Sequence, residues 1–187
     1  MLRKYDVTDF WAERPRLFRE RYGMIEVRDG KLYRVRLRPL PKLVSLAEVL
    51  FVGRAYHSRV GGDRCLLYYN QPRRFSNFIA LKYIVSARDT TLASLHGALV
   101  VLDEIARMKR TDALLCDVSN FRISDRLLRR WGWEPHLPSR WRRHHIKRFY
   151  GSYPDNAGST VLPPEPVAEP AAPLPLLEPA AGELVLS

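Results

Sequence analysis

The stretch that most constrains the fold of this chain runs from Leu114 to Trp133, LLCDVSNFRISDRLLRRWGW. Its first part belongs to a short apolar run, Ala113 to Val118, with the length and composition of a buried strand. The run breaks at Ser119-Asn120, residue types that favour caps and turns over regular structure. Apolar residues at helical spacing follow over about 121–131, and Gly132 between Trp131 and Trp133 supplies a stop with aromatic anchors. Directly upstream, Thr91 to Lys109 reads as a long helix, with Leu92, Leu95, Leu99, Leu102, Ala106 and Met108 on a broad apolar stripe. A long helix, a buried strand and a short helix in that order call for a sheet with helices packed on it.

The remaining segments fit such a sheet. Thr8 to Tyr22 is expected to be helical, capped by Thr8 or Asp9, with Pro15 in or near the first turn or else breaking it. Met24 to Val27 and Lys31 to Leu37 alternate apolar and polar residues around Asp29-Gly30, a hairpin pattern. Ser45 to Tyr56 has helical spacing. Gly61-Gly62-Asp63 turns the chain into a strand at Cys65 to Tyr69, Asn70 to Asn77 is a polar, basic loop, and Phe78 to Ala87 is a nearly continuous apolar strand. An Arg/His-rich extended segment closes the domain from Arg140 to Tyr150.

Composition divides the chain in two. From Ser159 onward there are seven Pro, four Glu and no Lys or Arg, a composition that cannot bury enough apolar surface to offset its ordering entropy. The expectation is one domain over residues 1–158 and a disordered tail over 159–187. All 31 Lys and Arg fall in the first segment with 16 of the 20 acids, giving it a charge of +15. Such a body attracts polyanions, whether nucleic acid, an anionic membrane or a phosphate-rich cofactor; excess Arg on a solvated face is the other reading. No apolar run approaches the roughly 20 residues needed to span a bilayer, and the N-terminus lacks a secretory apolar core. Cys65 and Cys116 sit in strand-like runs without metal-ligand spacing, as buried thiols of a cytoplasmic protein would.

The order from Phe78 to Trp133 resembles the core of the GNAT N-acetyltransferase superfamily, in which a central strand feeds a turn, a long helix, a second strand and a short helix ending in Gly-aromatic. The family's turn, Q/R-x-x-G-x-G/A, is met by Arg88-Asp89-Thr90-Thr91-Leu92-Ala93, with Thr91 where Gly is expected. Its later pattern, N-x-x-A-x-x-L-Y-x-x-x-G-F, is echoed from Asn120 to Gly132-Trp133, with Leu128 at the Tyr position. The resemblance implies a divergent GNAT-like α/β fold with a mostly antiparallel central sheet. It also implies acetyl-CoA or another acyl-CoA as acyl donor and an amine as acceptor.

A helix N-terminus presents unpaired N–H groups and a positive dipole end, which suit a pyrophosphate. Arg88, Asp89, Thr90, Thr91, Leu92 and Ala93 are therefore the expected cofactor-binding residues. The same residues also read as an ordinary capped helix, with Asp89, Thr90 or Thr91 as N-cap. The central strand carries no carboxylate to act as base, so no catalytic residue is assigned. Tyr68, Tyr69, Tyr83 and Asp117 are the polar alternatives, residue types that in such strands more often pack or hydrogen-bond than catalyse. Between Arg122 and Arg148, nine Arg or Lys face two acids, interleaved with Trp131, Trp133, Trp141, His144 and His145. That mixture would serve an alternative role as an inactive module binding nucleic acid or a protein through its C-terminal face. His144-His145 lacks further ligands at metal-binding spacing, so no metal site is expected.

Overall fold

The computed structural model describes residues 4–41, 62–86, 89–118, 123–136, 143–156 and 158–166. In chain order the elements are β1 (Tyr5–Val7), α1 (Arg14–Arg19), β2 (Tyr22–Arg28), β3 (Lys31–Leu37), β4 (Arg64–Asn70), β5 (Phe78–Ser86), α2 (Leu92–Lys109), β6 (Ala113–Val118), α3 (Asp125–Arg130), β7 (Glu134–Pro135) and β8 (Arg143–Arg148). The strands form one eight-stranded sheet in the order β1-β3-β2-β4-β5-β6-β8-β7. Every neighbouring pair is antiparallel except β5–β6. This is the mixed sheet covered by helices that the element pattern predicts, and it is mostly antiparallel, as the resemblance implied. No helix among the described residues is long and apolar enough to cross a membrane.

Period-two alternation sends one set of strand residues toward α2. Ile25, Val27, Val35, Leu67, Tyr69, Ile79 and Leu114 meet Leu102 and Ile105 of the helix in one core, with Leu17 of α1 and Trp133 after α3. The stripe foreseen on α2 is buried at Leu95, Leu99, Leu102 and Ala106, whereas Leu92 stays 60% exposed. Cys65 and Cys116 are buried and unbridged, and burial pushes both thiols up to about 12, which leaves them unreactive.

Several boundaries differ from the sequence reading. The first helix covers only Arg14–Arg19, because Pro15 is tolerated only in a first turn. Upstream, the Asp9 carboxylate accepts from the N–H groups of Trp11 and Ala12 and holds a turn instead. The short helix starts at Asp125, not near 121, since the Ser124 hydroxyl caps it by accepting from Leu127 N–H. Residues 159–166, placed by composition in the tail, are held against the domain. The Val161 side chain is buried, its carbonyl accepts from Leu32 N–H, Trp11 Nε1 donates to the Pro163 carbonyl, and Arg14 pairs with Glu165. The helix expected at Ser45 to Tyr56 and the tail from 167 onward lie outside the described residues.

On the face turned away from α2, Glu26 of β2 is fully buried by Arg28, Arg34 and Arg64, each with a guanidinium nitrogen 2.6–2.8 Å from its carboxylate. Asp6 extends the lattice by binding Arg34 and Arg36. Burial alone would raise the Glu26 carboxyl, but hydrogen bonds from Arg28 and Arg34 and the charge of Arg64 hold it below its ordinary value of 4.5. Asp6 is likewise held low by Arg36 and Arg34.

Two outcomes follow. A carboxylate with a depressed native pKa stabilises the fold above its unfolded pKa, and that stability is lost as pH falls through the native value. Urea titrations from pH 7 downward should therefore show stability falling once pH drops below about 4.5, and Glu26→Gln should be less stable at pH 7 with a shallower acid decline. At the strap, a Cβ on Gly97 would sit 2.4 Å from Val161 Cγ2. Gly97→Ala should displace Val161, so that limited proteolysis cuts within 158–166 faster than in the parent, and Val161→Ala in the same chain should suppress the difference.

Candidate functional site

The single parallel pair organises the site. Phe78, Ile79, Ala80 and Leu81 of β5 pair with Ala113, Leu114, Leu115 and Cys116 of β6, and there the ladder ends. Both strands run on, β5 to Ser86 beside β4 and β6 to Val118 beside β8. The register of β4 against β5 shifts at the same level: Tyr69 faces Leu81 but Tyr68 faces Tyr83, so Lys82 is the extra residue of a bulge. A bulge bends its strand and leaves a residue out of the ladder. Beyond Leu81 and Cys116 the two strands therefore share no partners, and Lys82 and Asp117 at the parting are both exposed.

The N-terminus of α2 lies past the open end of β5. Its N-cap is Thr91, whose hydroxyl accepts from Ser94 N–H. Thr91 in turn donates its N–H to Asp63 Oδ1 at 2.8 Å and its hydroxyl to Asp63 Oδ2 at 2.7 Å. The Asp63 carboxylate thus occupies part of the place where an anion would meet this helix end. Burial acts to raise it, but the Thr91 hydroxyl, the Thr91 N–H and Ser94 hold it below its ordinary value. The hairpin turn secures the same helix end, with Gly30 N–H donating to the buried Ser94 hydroxyl. Thr90 donates its hydroxyl to the Arg64 carbonyl. Of the first-turn donors, the N–H groups of Leu92 and Ala93 have no partner within the helix.

Those two residues line a groove of about 450 Å3 with His96 of α2, Leu127 and Arg130 of α3, and Trp131. The rings of His96 and Trp131 lie 5.0 Å apart at 33°. Burial, and then the charge of Lys147, lower the His96 pKa, which leaves the imidazole neutral at pH 7. Lys147 bonds Asp103 at 2.6 Å in the interior beside the groove. Burial raises the Asp103 carboxyl to about 6 despite that lysine. Gly132 closes α3 at φ +81°, a conformation that favours glycine, and a Cβ there would lie 3.2 Å from Lys147 Cε and press on that side chain.

The structure sorts the expected residues. Thr90, Thr91, Leu92 and Ala93 gather at the helix start, Asp89 leads into it from an exposed turn, and Arg88 lies outside the described residues. Tyr69 is fully buried, with its ring packed over Gly23, and is a core residue. Tyr68 and Tyr83 face one another across β4 and β5. Leu128, at the family's Tyr position, is buried in the core. In the C-terminal basic segment Arg143 pairs with Asp125 and Arg148 with Glu134, while Arg126, Arg129 and Arg130 are exposed. Sequence reading missed Asp63, His96 and Lys82. His96 sits one helical turn beyond Leu92, a spacing that places both on one face; Asp63 is 28 residues from Thr91, and no local pattern marks it.

No protein-family model matches the sequence, and no curated protein matches it. Among solved structures, the chain is similar to a crystal structure of nourseothricin acetyltransferase at 10% identity and a TM-score of 0.38, over 78% of this chain and 98% of that one.

Because the Thr91 hydroxyl serves two bonds, Thr91→Ala removes the N-cap and one of the two bonds that hold Asp63, leaving the one from the backbone N–H. A loss of about 1–2 kcal/mol in chemical denaturation is expected, against a few tenths for the neighbouring exposed Leu92→Ala.

Proposed function

We propose that the chain is an acyl-CoA-dependent N-acyltransferase of the GNAT type, acting on an amine. The observation that carries this reading is the parting of β5 and β6 after Leu81 and Cys116, beside a bulge and below a helix N-terminus. An extended thiol-bearing arm fits between strands that have stopped pairing. Its phosphate end would meet the Leu92 and Ala93 N–H groups and Arg130, and its planar base would meet the groove of His96 and Trp131. The fit is incomplete at one point, since the Asp63 carboxylate holds the Thr91 N–H.

When bound, an acyl-CoA supplies an acyl group activated as a thioester. The chain's own contribution is chiefly positioning, which by itself is worth several powers of ten in rate. Tyr83 and Asp117 both lie on the sheet face away from α2, one on each wall beyond the parting. An amine held there loses its proton toward Asp117 or water, forms the amide bond as the carbon–sulfur bond breaks, and the thiolate is reprotonated from solvent. Buried Leu128 supplies no proton.

Acetyl-CoA at millimolar concentration should raise the melting temperature, and Arg88→Ala should abolish the shift. Asp63→Asn removes one negative charge a few ångströms from the phosphates, so the affinity for acetyl-CoA should rise about tenfold. Absence of a thermal shift in both the parent and Asp63→Asn would overturn the proposal. The second reading, an inactive module, is favoured by the same carboxylate and by Leu128, and it predicts that absence.

A further inference from the structure

Three loops meet at the sheet end opposite the parting, and Asp112 ties them together. Its N–H donates to the Asn77 carbonyl from the β4–β5 connection, and its carboxylate accepts from Asn77 Nδ2. Its own carbonyl accepts from the N–H groups of Phe149 and Tyr150 just after β8. Tyr153 adds a hydroxyl bond to the Thr111 carbonyl and stacks on Phe149, with ring centres 4.8 Å apart. These bonds fix the backbone on both sides of two large rings left in water: Phe75 is 62% exposed and Tyr150 75%. Tyr150 also holds a left-handed backbone at φ +45°, which a non-glycine residue keeps only where its surroundings impose it.

Charge accompanies the rings. Arg73 and Arg74 precede Phe75 in an exposed turn, and Arg110, itself left-handed at φ +52°, projects from the end of α2. The nearest acid in the sequence, Asp112, is the one engaged with Asn77. The C-terminal basic face differs, because there two arginines are matched by Asp125 and Glu134.

We infer that this loop cluster binds single-stranded nucleic acid, with Phe75 and Tyr150 as stacking platforms and Arg73, Arg74 and Arg110 on the phosphates. The loops that carry the two rings adjoin β5 and β8, which are separated by β6, so the strand ends they spring from stand about 10 Å apart, two strand spacings. That is a reach of two or three nucleotides, and exposed rings among arginines serve bases of any sequence. A duplex hides its base faces and would gain nothing from the rings. The inference is independent of the acyl-transfer reading.

The experiment is fluorescence anisotropy of a labelled eight-nucleotide oligouridylate with the full chain. Binding is expected at 50 mM salt, weakening with log–log slope near −2 for about three phosphate contacts on a single strand. Phe75→Ala and Tyr150→Asn, the latter chosen because Asn tolerates the left-handed region, should each weaken binding about tenfold with unchanged melting temperature. Arg73→Ala with Arg74→Ala should flatten the slope by more than one unit. The inference is overturned by any of three results: no binding at 50 mM salt, equal affinity for a duplex of the same length, or loss with Arg126→Glu and Arg129→Glu but not with the ring variants.

Discussion

A ladder of four residue pairs between β5 and β6 sets the terms for everything built around it. Parallel neighbours cannot be joined by a tight turn, so the chain must cross the sheet between them, and α2 is that crossover. The crossover begins past the far end of β5, which fixes where its unpaired N–H groups lie. The segment that leaves β6 then delivers α3 to the adjoining position, and the groove between the two helices results. Lengthening the ladder by removing the bulge at Lys82 would close the space between the strands and leave the helix end facing a continuous sheet.

Electrostatics explain how so basic a chain holds together. Four arginines converge on two carboxylates, Glu26 and Asp6, and others are committed to Asp125, Glu134 and Glu104. Planar guanidinium groups can approach one carboxylate from several directions with hydrogen-bond geometry, which an equal number of lysines would not match. Much of the arginine content is therefore internal fastening. Arg28 and Arg34 also lie over the Tyr33 ring, at 3.6 and 5.4 Å from its centre, so the same side chains bury aromatic surface.

Legibility followed the physics of each element. β5, α2 and β6 were readable because long apolar periodicity survives any context, and the Asp29-Gly30 turn because both residues adopt positive φ there, at 49° and 72°. β1, three residues within a charged stretch, and β7, two residues long, carry too few side chains to show a period. The strap at Val161 was hidden because its partner is the absence of a side chain at Gly97, which local composition does not record. The cap of α2 was narrowed to Asp89, Thr90 or Thr91, and Thr91 fills it. Its occupant came from a turn 28 residues away, beyond the reach of any motif.

The strap has a further consequence at the sheet edge. β1 covers β3 only along Val35 to Leu37, so among the described residues no strand pairs with the outward backbone of the first half of β3. Val161 accepts the Leu32 N–H along that stretch and stands where another strand would otherwise add. An unpaired, flat edge is a template for pairing with a second copy. The residues after the last strand thus act as an edge guard, and a chain shortened before Val161 would lose the partner of the Leu32 N–H and offer that edge for strand addition.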